Sequence, residues 1–463
     1  MTTQGQPASL EKLPSLVTDS IIEHLDLDDV KSLRLCCKEL SERCLNPHFK
    51  HFCRHQKTDL TEDSLKSLRA LALHPTLGPA VKNLTIVTTV YDTSELESTI
   101  STGERTEVKS LGMIVTSSTK ECTDEELRAA QSDLNWIKAQ QKGEQSDAVI
   151  TESLVSVMKD LERLGSITLD AAVLEGRGSI IPPTREKWQE TWTRAHQVYR
   201  LAITAVARSS IAVDTLSVYR NTWRCSVPIC HITAHTLSLD AADELSSTGR
   251  TIKNLAISVS PEIAEDFGGE SLQGQSGYSI ASLLKLMPNL ETLDLHSYCP
   301  NTGEGIKNDE VLADVVQAAH LPLLKKCSWH GIYCTEQTML QFLKTYPQIQ
   351  HLTLEEIHLT EGTWEPIFQH LSSDMPALTS LHLSNLWGKR LVNLELVWGE
   401  PERENPRSHY YRCGGGYMVH TGEFDSTDIK RGLRFNPAPG GRAIGSSAVM
   451  NWRRKRESEY GAP

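Results

Sequence analysis

The chain has 463 residues, 39% hydrophobic and 23% charged, with a formal net charge of -12. That length allows two or three structural units with sizeable cores and excludes a single miniature domain. No apolar run is long enough for a membrane span, and the acidic balance gives the molecule as a whole no attraction for nucleic acid. Eleven cysteines, an odd number scattered along the chain, do not make a secreted disulfide scaffold. The polar stretch 1–9, expected to be disordered, lacks the basic start and apolar core of a secretory signal, so cytosol and/or nucleus is the expected compartment.

Residues 10–57 read as a small helical unit. Leu16, Ser20, Ile21, His24 and Leu25 fall at helical spacing, and Val30, Leu33, Arg34, Cys37 and Leu40 do so again after Asp28, an expected N-cap. A third short helix is expected around Phe49 and Phe52, after the Asn46-Pro47 break. Three helices in about fifty residues have too little core to be comfortable alone.

From Lys82 a different pattern recurs: an apolar residue, two positions, an apolar residue, one position, an apolar residue. It is clearest in "NLETLDL" (289–295), "LLKKCSW" (323–329), "QIQHLTL" (348–354), "ALTSLHL" (377–383) and "RLVNLEL" (390–396). The turns "MPNL", "LPLL", "YPQI" and "MPAL" announce four of these copies. Weaker copies are "VKNLTI" (81–86), "LGSITL" (164–169), "VDTLSV" (213–218), "AHTLSL" (234–239) and "IKNLAI" (252–257). Together they predict about ten short parallel strands. Helical stretches lie between them, including insertions at about 120–162, opened by a Thr123–Glu126 capping box, and about 184–208.

The predicted fold class is therefore α/β: a three-helix unit, then an irregular right-handed solenoid of parallel strands and helices over 58–399. Residues 400–463 are Gly- and Pro-rich, with eleven Lys/Arg against eight Asp/Glu, and read as a tail with little core of its own that caps the last repeat.

"LEKLPSLVTDSIIEHLDLDDVKSLRLCCKELSE" (10–42) resembles the F-box, in which Leu-Pro begins the first helix and an acidic-aliphatic hinge precedes the second. The matching residues are Leu13-Pro14, Leu25, Leu27-Asp28-Asp29-Val30 and Leu33 to Leu40. With the leucine-rich array behind it, the whole chain resembles fungal F-box proteins with degenerate leucine-rich repeats. Further carriers of the resemblance are "LALHPTLGPAVKNLTI", "ELRAAQSDLNWIKAQ", "TEGTWEPIFQHLSSDMPALTSLHLSNL" and "NWRRKRESEYG".

The resemblance implies a non-catalytic substrate receptor of an SCF-type cullin-RING ubiquitin ligase. The F-box would bind the Skp-type adaptor, and through it the cullin and RING subunits, while the repeats hold a protein target. Leu13, Pro14, Ile21, Leu25, Leu27, Val30, Leu33 and Cys37 would form most of the adaptor interface, with Cys37 standing where the family often has a larger aliphatic. The alternative is a leucine-rich-repeat scaffold, adaptor-bound or free, without a ligase role.

The x positions of the strands give candidate target-binding residues: Asp294, His296, His330, Glu355, His382 and Ser384, with Thr292, Ser328 and Thr353 in the same alternation. No cofactor or metal is expected. Cys44, His48, His51, Cys53 and His55 fit no common zinc spacing. "GQSG" (274–277) lacks the strand and helix of a nucleophile elbow, and "GGG" (414–416) is not followed by a phosphate-loop Lys. "WRRKR" (452–456) reads as a solvated terminal charge run.

Overall fold

The computed structural model describes residues 10, 13–111, 114–143, 145–161, 163–183, 188–223, 225–238, 247–260, 280–297, 310–318, 320–388, 392–395, 411–413, 416–419 and 421–436. The stretches 1–9, "GQSG" and "WRRKR" lie outside them.

The N-terminal unit has four helices where three were expected: α1 (Ser15–Ile22), α2 (Leu27–Cys36), α3 (Lys38–Arg43) and α4 (Pro47–Cys53). Cys37 takes an extended conformation, φ -160° and ψ 166°, which splits the predicted second helix. Its sulfur then accepts from the Leu40 amide and caps α3. Asp26, not Asp28, caps α2, accepting from the amides of Asp28 and Asp29 at 3.0 and 2.8 Å. Asn46 caps α4 with Pro47 at the first turn, where a missing N–H costs nothing.

Ile22, Val30, Cys44, Phe49 and Cys53 form the unit's core, completed by Leu77 and flanked by Leu71 and Ala80 from the next elements. Burial pushes the Cys44 and Cys53 thiols up, as expected of packed sulfurs.

The strands follow in chain order. β1 (His55–Thr58) and β2 (Asn83–Tyr91) flank a helix, Glu62–Ala72. A hairpin, β3 (Glu104–Leu111) and β4 (Ile114–Glu121), stands apart and leads into the helices Asp124–Lys142 and Asp147–Leu161. Then come β5 (Arg163–Gly176), β6 (Ser179–Ile181), the helix Trp188–Ser209, β7 (Ala212–Val218), β8 (Val227–Pro228), the helix Ile229–Ser238 and β9 (Asn254–Ser260). The last third holds β10 (Thr292–Ser297), β11 (Lys326–His330), β12 (Tyr333–Thr335), β13 (His351–Glu355), β14 (His358–Glu361), β15 (Ser380–Ser384), β16 (Asn393–Glu395), β17 (Tyr411–Cys413), β18 (Gly416–Val419), β19 (Thr421–Asp425) and β20 (Arg434–Asn436).

The central sheet runs β1-β2-β5-β7-β9-β10-β11-β13-β15-β19. Every neighbouring pair on this path is parallel except the last, where β19 turns antiparallel to β15. Sheet order thus follows chain order.

Strict alternation gives the sheet two unlike faces. Leu84, Ile167, Leu216, Leu255, Leu293, Cys327, Leu352 and Leu381 stand in one lateral row, all at most 2% exposed. A second row, Ile86, Leu169, Val218, Ile257, Leu295, Trp329, Leu354 and Leu383, lies two residues on. Helical side chains such as Leu154, Met158, Ala202, Phe342 and Leu371 share one core with these rows. Each fully buried Leu there contributes roughly 1.5–3 kcal/mol. The positions between these two rows are half-buried and, Ala256 apart, polar, whereas parallel sheets covered on both faces read as unbroken apolar runs.

The four Pro-containing turns set the register. In each, the fourth residue's amide bonds the first residue's carbonyl: Leu290 to Met287, Leu324 to Leu321, Ile349 to Tyr346 and Leu378 to Met375, at 3.1–3.2 Å. All eight of these side chains are buried.

Two of the expected strands need correction. "AHTLSL" is not a strand: it falls in the helix Ile229–Ser238, because Ile229, Ile232, Thr233 and Thr236 bury one helical face directly after Pro228. "RLVNLEL" forms β16, but β16 pairs antiparallel with β18 and β20 in a separate sheet. The region after residue 400, expected as a tail that caps the last repeat, carries β17 to β20 and the helix Ser426–Arg431, and β19 covers the edge of β15. The first strand, β1, straddles the expected boundary at residue 57.

No helix among the described residues is long and apolar enough to cross a membrane.

Candidate functional site

The polar face of β10, β11, β13 and β15 carries all the candidate target-binding residues. Register aligns Asp294, Ser328, Thr353, His382 and Glu423 in one lateral row. The adjacent row is His296, His330, Glu355, Ser384 and Thr421. Thr292 begins a third row.

Three of the candidates are in direct contact. His330 Nδ1 stands 3.0 Å from Glu355 Oε2, and its Nε2 stands 3.4 Å from Asp294 Oδ1. The His296 ring is buried with its centroid 5.9 Å from that of His330. His382 Nδ1 lies 3.8 Å from Glu423 Oε1, and Ser384 shares a hydroxyl hydrogen bond of 3.0 Å with Thr421.

Arg220 completes the network and was not legible in the sequence. It leaves the end of β7 after Tyr219, whose φ of 53° turns the chain sharply, and its Nε donates to Asp294 Oδ2 at 2.7 Å. Its Nη2 lies 3.0 Å from His330 Nε2. No periodic signal links residue 220 to 294. Glu423 and Thr421 were missed for the same reason, lying in the stretch read as tail.

Electrostatics follow from these contacts. Burial works against ionising Asp294, but the hydrogen bond with His330 and the charge of Arg220 overcome it and hold the carboxyl below its ordinary range. The hydrogen bond with His330 holds Glu355 low against burial. For His330 burial opposes the charge, yet the bonds with Asp294 and Glu355 outweigh it and raise the pKa. Its Nε2 faces both a guanidinium donor and a carboxylate acceptor. Neutral, the nitrogen accepts from Arg220; protonated, it donates to Asp294.

Beyond the ends of β11, β13 and β15 the chain repeats one turn. Gly331, Glu356 and Asn385 all have positive φ, at 68, 54 and 49°. Two residues later Tyr333, His358 and Trp387 form an aromatic tier, with the His358 ring stacked on Tyr333 at 4.5 Å and on Trp387 at 5.7 Å between centroids.

The expected adaptor-binding residues divide by exposure. Pro14 is exposed and Leu13, Ile21, Leu25, Leu27, Leu33 and Cys37 are half-buried. Val30 is the correction: at 0% exposure it is enclosed in the unit's own core and has no surface to offer. The exposed apolar side chains are instead Leu16 at 84%, Leu35 at 88% and Val17 at 44%. Helix α2 turns Val30 inward and Leu35 outward.

Among the described residues no group of three or more His, Cys, Asp or Glu is arranged to hold a metal ion. No protein-family model matches the chain, and no curated protein does.

Proposed function

We propose that the chain is a substrate receptor of an SCF-type cullin-RING ubiquitin ligase, with an F-box at 10–57 and a leucine-rich-repeat-like solenoid behind it. The observation that carries the reading is the pair of leucines, Leu16 and Leu35, left in water by a unit that has its own core. Exposed large aliphatics on a small helical unit mark a docking surface. The sequence resemblance supplies the Skp-type adaptor as its partner. The polar face of the parallel sheet supports the second half of the reading, a surface that holds a target protein.

On this reading the chain performs no bond chemistry. It raises the effective concentration of a target lysine near the charged ubiquitin carrier, which the RING subunit brings.

The test is calorimetry of the full chain with the purified Skp-type adaptor, repeated with the double variant Leu16→Asp, Leu35→Asp. Those side chains are 84% and 88% exposed in the free chain, so the variant is expected to fold and to lose at least about tenfold in affinity. A folded wild-type chain that does not bind the adaptor overturns the reading. Adaptor binding without recruitment of the cullin selects the scaffold alternative.

A further inference from the structure

The polar face is not neutral ground. Asp294, Glu355 and Glu423 place three carboxylates on two adjacent rows; Asp294 and Glu355 are joined through His330, Arg220 is bonded to Asp294, and Glu423 stands on β19 beside His382. The His330 side chain, 14% exposed, fills the gap between Asp294 and Glu355 and reaches both. His330 is thus a planar, two-nitrogen donor held between these carboxylates, with Arg220 and His296 beside it and His382 two strands away.

Just past the same strand ends stands the aromatic tier of Tyr333, His358 and Trp387, all half-exposed. Trp223, three residues after Arg220 on the same loop, is 54% exposed. Carboxylates and aromatic rings share one preference, for organic cations, which pair with the first and stack on the second. A phosphorylated segment would instead meet three carboxylates.

We propose that this face takes an extended basic peptide segment, an Arg or Lys side chain of which meets the exposed edges of Asp294 and Glu355, 25% and 34% exposed, over His330. The inference rests on reading the sheet face as the target-holding surface and names the class of target. The ligand's cation and the proton of His330 compete for the same two carboxylates. Binding therefore releases that proton and strengthens as pH rises from 6 to 8. Screening by salt weakens it.

The test uses the full chain and fluorescein-labelled decapeptides of alternating Arg–Gly, Glu–Gly and phosphoserine–Gly, read by fluorescence anisotropy at pH 6 and 8. The Arg–Gly peptide is expected to bind, more tightly at pH 8. Glu355→Gln should weaken it at least tenfold, whereas Glu125→Gln, an exposed acid on the helix Asp124–Lys142, should leave it unchanged. His330→Gln preserves a hydrogen-bonding side chain without the proton, so it should keep binding and abolish the pH dependence, which tests the site even if Glu355→Gln fails to fold. Preference for the phosphoserine peptide overturns the inference, as does Arg–Gly binding that ignores both Glu355→Gln and His330→Gln. Adaptor affinity measured on the same samples separates the two readings. Peptide binding can fail with the adaptor still bound, and the reverse.

Discussion

Gly362 shows how one residue constrains this fold. It takes φ +87° in the turn after β14, and a Cβ placed there would run into the Glu336 side chain. That carboxylate is already occupied, accepting from the Thr363 amide at 2.7 Å. Gly178 takes a similar φ of +79° with nothing within 4 Å of its Cβ position. Gly178→Ala should cost only the left-handed strain, roughly 1–2 kcal/mol. Gly362→Ala should add the loss of a hydrogen bond, about 1 kcal/mol, and the displacement of Glu336. Urea unfolding of both variants checks this, and equal midpoints would refute the steric account. At this scale the sequence was legible where alternation rules: Asp294, His296, His330, Glu355, His382 and Ser384 do share one face. It was silent on Arg220, because a loop side chain that crosses to a strand 74 residues away leaves no period to read. Val30 was misjudged because a short helix with apolar residues around much of its circumference does not announce which of them turns inward.

Between elements, the packing of the helices Trp188–Ser209 and Ile229–Ser238 stores a response to acid. The His196 and His231 rings stack at 3.8 Å between centroids, and His235 Nε2 meets Thr204 Oγ1 at 3.3 Å. Burial, with His231 and Arg200 adding their charge, pushes the pKa of His196 down to about 3. Burial and Arg200 push His235 down to about 4, and the same two causes lower His231. Arg200 is itself paired with Asp147 at 2.5 Å. The unfolded chain binds protons near pH 6.5 that the folded chain refuses, so stability should fall as pH drops below about 6.5 and keep falling towards the folded pKa values. His330 has the opposite sign: its raised pKa contributes stability below about 6.5 that is lost as pH rises through its folded value. Urea midpoints at pH 7.5 and 5.0 measure the first effect. His235→Gln should flatten it, and an unchanged slope in that variant would remove His235 from the account. The helix Ile229–Ser238 was read as a strand because its last residues mimic the strand pattern, while the cue lay upstream in Pro228 and the three- and four-residue spacing after it. The insertions 124–142 and 147–161 were legible because a capping box and a long amphipathic run are strong local signals.

Across the whole molecule, the parallel array was legible because the strands of the central sheet lie in chain order, with β3–β4, β12 and β14 set outside it, so a local pattern carries the topology. The antiparallel pairing of β16 with β18 and β20 was not: β16 carries the repeat pattern, and the partners it takes are ones the period does not name. That sheet order has a mechanical consequence. Tension between the two ends of the central sheet loads the strand pairs in series, and each pair gives way by opening hydrogen bonds one at a time. Pulled between residues 55 and 425 in an optical trap, the protein should lengthen in several small steps at low force, beginning at an edge. A single large rupture would mean that the helical layer, rather than the sheet, binds the array into one mechanical body.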